Sequence, residues 1–143
     1  MQSHFDFDTD KLAGYLENNV AGFKGPLKAE KFAGGQSNPT FKITAASGDY
    51  VLRRKPPGEL LKSAHAVDRE FRVLSALANT EVPVVEVYHL CEDDSVIGSM
   101  FYLMEFKQGR VFWNPALPEA TNAERTEVFD QMNQVMVALH KVD

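Results

Sequence analysis

Between Leu27 and Arg54 the chain is cut twice by turn-forming residues, first by Gly34-Gly35-Gln36-Ser37-Asn38-Pro39 and then by Ser47-Gly48-Asp49. The segments left between the cuts are short and rich in β-forming residues, and links this brief join neighbouring antiparallel strands. Three strands connected as hairpins are therefore predicted. Pro56-Pro57-Gly58 ends the third, because proline offers no amide to a sheet ladder.

The segments on either side change period. Asp8-Thr9 ahead of Leu12, Tyr15, Leu16 and Val20 predicts a capped amphipathic helix, with Gly22 where it would stop. Ser63 can cap a second helix running to about Asn79, whose Val67, Phe71, Leu74, Leu77 and Ala78 share one face. Strands over Val84 to Leu90 and Met100 to Phe106, separated by the polar turn Glu92-Asp93-Asp94-Ser95, would complete a five-stranded antiparallel sheet. Beyond a loop with Pro115 and Pro118, Thr121 and Glu124 form a capping box. The helix it opens carries Val128, Phe129, Met132, Val135, Met136 and Leu139 as one apolar stripe. The order helix, three strands, helix, two strands, helix is an α+β arrangement.

One carboxylate stands out against this frame. At about 100 degrees per residue, Glu70 projects between Leu74 and Leu77, inside the arc that faces the sheet. Desolvating an unpaired carboxylate is costly, so a cation from the sheet is expected beside it. Along Tyr50-Val51-Leu52-Arg53 the side chains alternate, so Val51 and Arg53 share a face. Arg53 is the best-placed partner. Arg54, or a Glu70 turned outward with Arg53, Arg54 and Lys55 as a solvated basic run, are the alternatives.

Charge and motif content narrow the function. The 143 residues carry a net charge of -5, which provides no basic field for a nucleic-acid backbone. No apolar run approaches the roughly twenty residues needed to span a bilayer, and the single cysteine, Cys91, cannot form an internal disulfide. With no secretory leader pattern, a soluble cytoplasmic protein is expected. The loop Ala33 to Asn38 lacks the Gly-Lys-Ser/Thr ending of a P-loop and opens no helix as a dinucleotide fingerprint would. Its glycines either serve a tight hairpin turn or let backbone amides approach a phosphate.

The strings Phe32-Ala33-Gly34-Gly35-Gln36-Ser37-Asn38-Pro39-Thr40, Tyr50-Val51-Leu52-Arg53-Arg54-Lys55-Pro56-Pro57-Gly58 and Val67-Asp68-Arg69-Glu70, in this order, resemble the aminoglycoside-phosphotransferase family. The resemblance is closest to the branch also found fused to acyl-CoA dehydrogenases. It implies the amino-terminal lobe of a protein-kinase-like fold, with one helix packed on the sheet. Residues 1–26 would be an amino-terminal helical segment, 27–107 the nucleotide-binding lobe, and 108–143 the linker and first helix of a second lobe that is missing. The parent would be an ATP-dependent phosphotransferase acting on a small hydroxylated molecule.

The same resemblance assigns roles. Amides of Gly34 and Gly35 and the Ser37 hydroxyl would cover the ATP phosphates, with Gln36 and Asn38 shaping the turn. Arg53 stands where the family usually has a strand lysine for the α- and β-phosphates, and Glu70 where the helix glutamate orients it. Arginine keeps the charge but is longer and forked, so its phosphate contact would differ or be shared with Arg54. Val51 and Met104 would line the adenine, and backbone groups of Glu105 and Lys107 would meet its edge. The family's catalytic pattern, H-x-D-x-x-x-x-N, is not among these residues, so no catalytic residue is assigned and magnesium would be held by the second lobe.

The remaining chemistry-bearing residues receive structural roles. His4, His65 and His89 lack ligand spacing, Cys91 reads as a small core residue, and His140 lies at a helix end. Trp113 either lines a ligand entrance or, preferred, packs beneath the proline-rich loop. Arg110 reads as a solvated turn residue. Besides the enzyme, two readings stay open: a non-catalytic nucleotide-sensing or protein-interaction module, dimeric through the last helix, and a plain ligand-binding domain.

Overall fold

A computed structural model describes residues 7–33, 38–56 and 66–143. Helix α1 (Thr9–Asn19) leads into strands β1 (Leu27–Lys31), β2 (Thr40–Ala45) and β3 (Gly48–Arg54). Helix α2 (Val67–Leu77), strands β4 (Val87–Cys91) and β5 (Phe101–Glu105), and helix α3 (Asn122–His140) follow. All strand pairs are antiparallel and the sheet order is β1-β2-β3-β5-β4. The chain leaves β3, passes through α2 to the sheet edge, and returns to place β5 in the gap.

Register sorts the sheet into two faces. Phe41, Leu52 and Leu103 form one row and Thr40, Arg53 and Tyr102 the next. Because successive side chains alternate, these rows point to opposite sides. On the first side Leu27, Ala29, Phe41, Ile43, Leu52, Phe101 and Leu103 join Leu12 and Leu16 of α1 in one buried cluster. Val96 and Ile97, from the loop between β4 and β5, close it. Leu12, Leu16, Leu52 and Leu103 are all 0% exposed. Each contributes roughly 1.5–3 kcal/mol through burial, so α1 is an integral part of this core.

Local chemistry sets the helix ends. The Asp8 carboxylate accepts from the amides of Asp10 and Lys11, satisfying donors that α1 leaves open. The chain turns away at Gly22, where φ is +78°, a conformation that strains any residue with a Cβ. The second helix departs from expectation: its N-cap is Ala66, with no side-chain cap, and Ser63 lies outside the described residues. It ends at Leu77, and Ala78, assigned above to the packed face, is exposed. The strand placed at Val84 starts at Val87, after Pro83, and a register shift falls between Val87 and His89.

The capping box of α3 is formed on both sides, with Thr121 Oγ1 accepting from the Glu124 amide and Glu124 Oε2 from the Thr121 amide. No residue of α3 is buried. Its apolar stripe faces outward, with Phe129, Met132 and Met136 each more than half exposed. Among the described residues, no helix is long and apolar enough to cross a membrane.

Candidate functional site

The second face of the sheet carries the site. Arg53 Nε donates to Glu70 Oε2 at 2.7 Å and its Nη2 donates to Oε1 at 3.2 Å, so the guanidinium grips the carboxylate with two parallel bonds. Sequence and structure agree on the partners, while the setting differs: side-chain exposures of 32% and 34% make the pair half-buried. A pair this accessible contributes about 1 kcal/mol to folding and not the several expected of a desolvated one.

Glu70 does more than hold Arg53. Its Oε2 also accepts from the Tyr102 hydroxyl at 3.0 Å, and its Oε1 from Asn38 Nδ2 at 3.2 Å. Strands β3 and β5 and Asn38, two residues ahead of β2, thus converge on one carboxylate of α2. Burial first, then the charge of Glu70, pushes the Tyr102 phenol well above its ordinary range and keeps it a proton donor. Phe71 packs edge-on against the same ring, with centroids 6.1 Å apart. Arg53 Nη1 donates to Thr40 Oγ1 at 3.3 Å, and Thr40 Oγ1 donates to the Asn38 carbonyl. A guanidinium has five N–H donors, so three bonds leave two for another anion on this accessible face.

Next along the face, Lys42, Val51 and Met104 form a row in register. Val51, 8% exposed, lies among Lys42, Met104, Arg53 and Asp49 as the shortest side chain of the group. Lys42 Nζ reaches Asp49 Oδ2 at 3.3 Å and lies 4.6 Å from the centroid of the Phe106 ring. Where the chain leaves β5, Glu105 donates its amide to the Glu86 carbonyl at 2.8 Å, so that amide is already engaged. Its carboxylate meets Lys107 Nζ at 2.7 Å and the Glu86 amide at 3.2 Å. The Lys107 contact first, then that amide, hold Glu105 below the usual carboxylate range. Gly34, Gly35, Gln36 and Ser37 lie outside the described residues.

Several roles read from the sequence change. Arg54 belongs to neither a solvated run nor the site: it points to the opposite face, 1% exposed, where Nε donates to Ser99 Oγ at 2.9 Å. Strand alternation separates it from any ligand held by Arg53. Trp113 is 81% exposed and packs beneath nothing. Arg110 is exposed, as expected, with its guanidinium over the Phe112 ring at 4.6 Å. Cys91 is buried as expected, beside the 2.8 Å contact between Tyr15 and His89. Thr40, Lys42, Tyr102 and Phe106 were missed. Their signal is even spacing, two residues apart on β2 and four along β5 and its exit, legible only once β5 is known to pair with β3.

A five-stranded antiparallel sheet with a helix glutamate clasping a strand cation is the amino-terminal lobe of a protein-kinase-like fold. The chain belongs to the phosphotransferase enzyme family, whose model matches residues 28–143. It superposes with a TM-score of 0.82 and 50% identity on a Ralstonia eutropha JMP134 crystal structure assigned as an aminoglycoside phosphotransferase, covering 96% of this chain and 39% of that one. An Arabidopsis thaliana protein named probable acyl-CoA dehydrogenase IBR3 is 47% identical over all of this chain and 18% of its own length. Mouse acyl-CoA dehydrogenase family member 10 is also 47% identical, over 94% of this chain and 13% of that protein. The chain thus spans less than a fifth of the curated relatives it matches.

Proposed function

We propose that this chain is the ATP-binding portion of a phosphotransferase that moves the γ-phosphoryl group of ATP to a hydroxyl of a small molecule. The observation that carries the reading is the half-buried guanidinium of Arg53, clasped by Glu70 through Nε and Nη2 and turned so that further donors face outward. Fixed in this way, it neutralises charge on a polyphosphate without having to be ordered when the ligand arrives.

In the transfer, the acceptor oxygen bonds to the γ-phosphorus as the bond to the β-bridging oxygen breaks and ADP leaves. The acceptor proton needs a base, and magnesium needs carboxylate or amide ligands. The H-x-D-x-x-x-x-N pattern that supplies them in this fold is not among the 143 residues, so this portion binds ATP and does not turn over alone. The acceptor belongs to the small hydroxylated molecules, and the compartment is the cytoplasm.

Titrating ATP into the protein and its Arg53→Ala variant tests the reading. Wild type should bind, and the variant should bind roughly tenfold or more weakly, the value of one charge-assisted hydrogen bond. Wild type that ignores ATP overturns it. The outward stripe of α3 favours a second reading, a nucleotide-sensing or interaction module that dimerises through that helix. A defined dimer in gel filtration would favour the module, and aggregation the enzyme portion.

A further inference from the structure

Lys42 was assigned no role by its sequence context, yet its side chain crosses the ligand face of the sheet. It starts on β2 in register with Val51, meets the Asp49 carboxylate of β3 at 3.3 Å, and ends over the Phe106 ring beyond β5. Three segments are strapped together by one cation, held by an ion pair and by a ring face. Arg53, Val51 and Asp49 alternate along β3 on this same side. At about 3.3 Å per residue, Lys42 starts beside Val51, about 7 Å along the sheet from Arg53, and its ammonium meets Asp49 about 13 Å from Arg53. A nucleoside triphosphate whose phosphates sit at Arg53 and whose base rests on Val51 and Met104 therefore meets Lys42 and Phe106 with the far edge of its base.

We propose that Lys42, braced by Asp49 and Phe106, is the end wall of the base seat and a specificity-determining residue that sets how large a base the site admits. This inference rests on the nucleotide reading given above. A wall is distinguished from a merely structural side chain because removing it lets in ligands that the native protein excludes.

The experiment measures the affinities of ATP and of three ATP analogues, benzylated at N6, C2 or C8 of the base, for wild type, Lys42→Ala and Lys42→Met. Thermal unfolding of each variant shows that it is folded. Shortening a wall by several methylenes should improve binding of at least one analogue, measured relative to ATP in the same variant, by about tenfold or more. Lys42→Met, which keeps the length and loses the charge, should exclude the analogues as wild type does. Lys42→Ala admitting none of them overturns the wall, as does equal weakening of ATP and all analogues, or Lys42→Met admitting them as well as Lys42→Ala. Wild type that binds no ATP overturns the nucleotide reading and the wall with it, an outcome distinct from a failed gain in Lys42→Ala.

Discussion

Arg53 and Arg54 are chain neighbours with opposite surroundings: Arg53 clasps Glu70 on the accessible face of β3, and Arg54 is 1% exposed on the other face, bonded to Ser99. The two should separate function from stability. Arg54→Ala is expected to lower unfolding free energy by about 2 kcal/mol or more, because it empties a filled site and strips a buried hydroxyl of its donor. Arg53→Ala should cost about 1 kcal/mol or less in stability while weakening ATP binding. Urea denaturation of both variants checks this, and a reversed order would contradict it.

Tyr102→Phe keeps the ring against Phe71 and removes only the hydroxyl that donates to Glu70 at 3.0 Å. The expected loss is about 1 kcal/mol, since the carboxylate keeps its other donors. Because the phenol is held above its ordinary range, the loss should be the same at mildly acidic and mildly alkaline pH. A loss that fades on the alkaline side, well below ordinary phenol titration, would show that the hydroxyl does not stay protonated there.

His89 makes the fold sensitive to acid. Burial lowers its pKa from 6.5, so the folded state favours the neutral ring and the unfolded chain takes up protons more readily as pH falls. The stability that depends on neutral His89 is present in full above 6.5 and is lost as pH drops through the lowered folded value. Urea midpoints should fall on acidification from neutral pH, and fall less in His89→Gln. Equal falls in both would assign the acid sensitivity to other groups.

The stripe of α3 contributes exposure and little packing. Met132→Lys and Met136→Lys, at positions 57% and 53% exposed, should change unfolding free energy by no more than about 0.5 kcal/mol. If α3 is a dimer surface, the double variant runs as a monomer in gel filtration. A large loss of stability would mean that the stripe is covered within the folded chain.

Much of this was legible because its causes are local. Period-two runs between glycine and proline turns gave β1 to β3, and the angular position of Glu70 on its helix called for Arg53. The capping box at Thr121 and Glu124 needed only four residues to read. What was not legible depends on distant pairing. Tyr102 comes beside Arg53 because β5 inserts between β3 and β4, which no spacing in the sequence announces. Lys42 received no role from its sequence context because Phe106, its ring partner, is remote in sequence. Arg54 looked like part of a basic run until alternation carried it into the core.

The helix α1 has a practical bearing on how such lobes are cut and joined. The family match begins at residue 28, yet Leu12, Leu16, Val20 and Phe23 roof the apolar face of the sheet. Expression trimmed to the aligned segment would strip that roof and bare the apolar face of the sheet to water. A fusion made on the amino-terminal side has to join ahead of Phe7, whose ring packs edge-on against Phe41 at 5.3 Å.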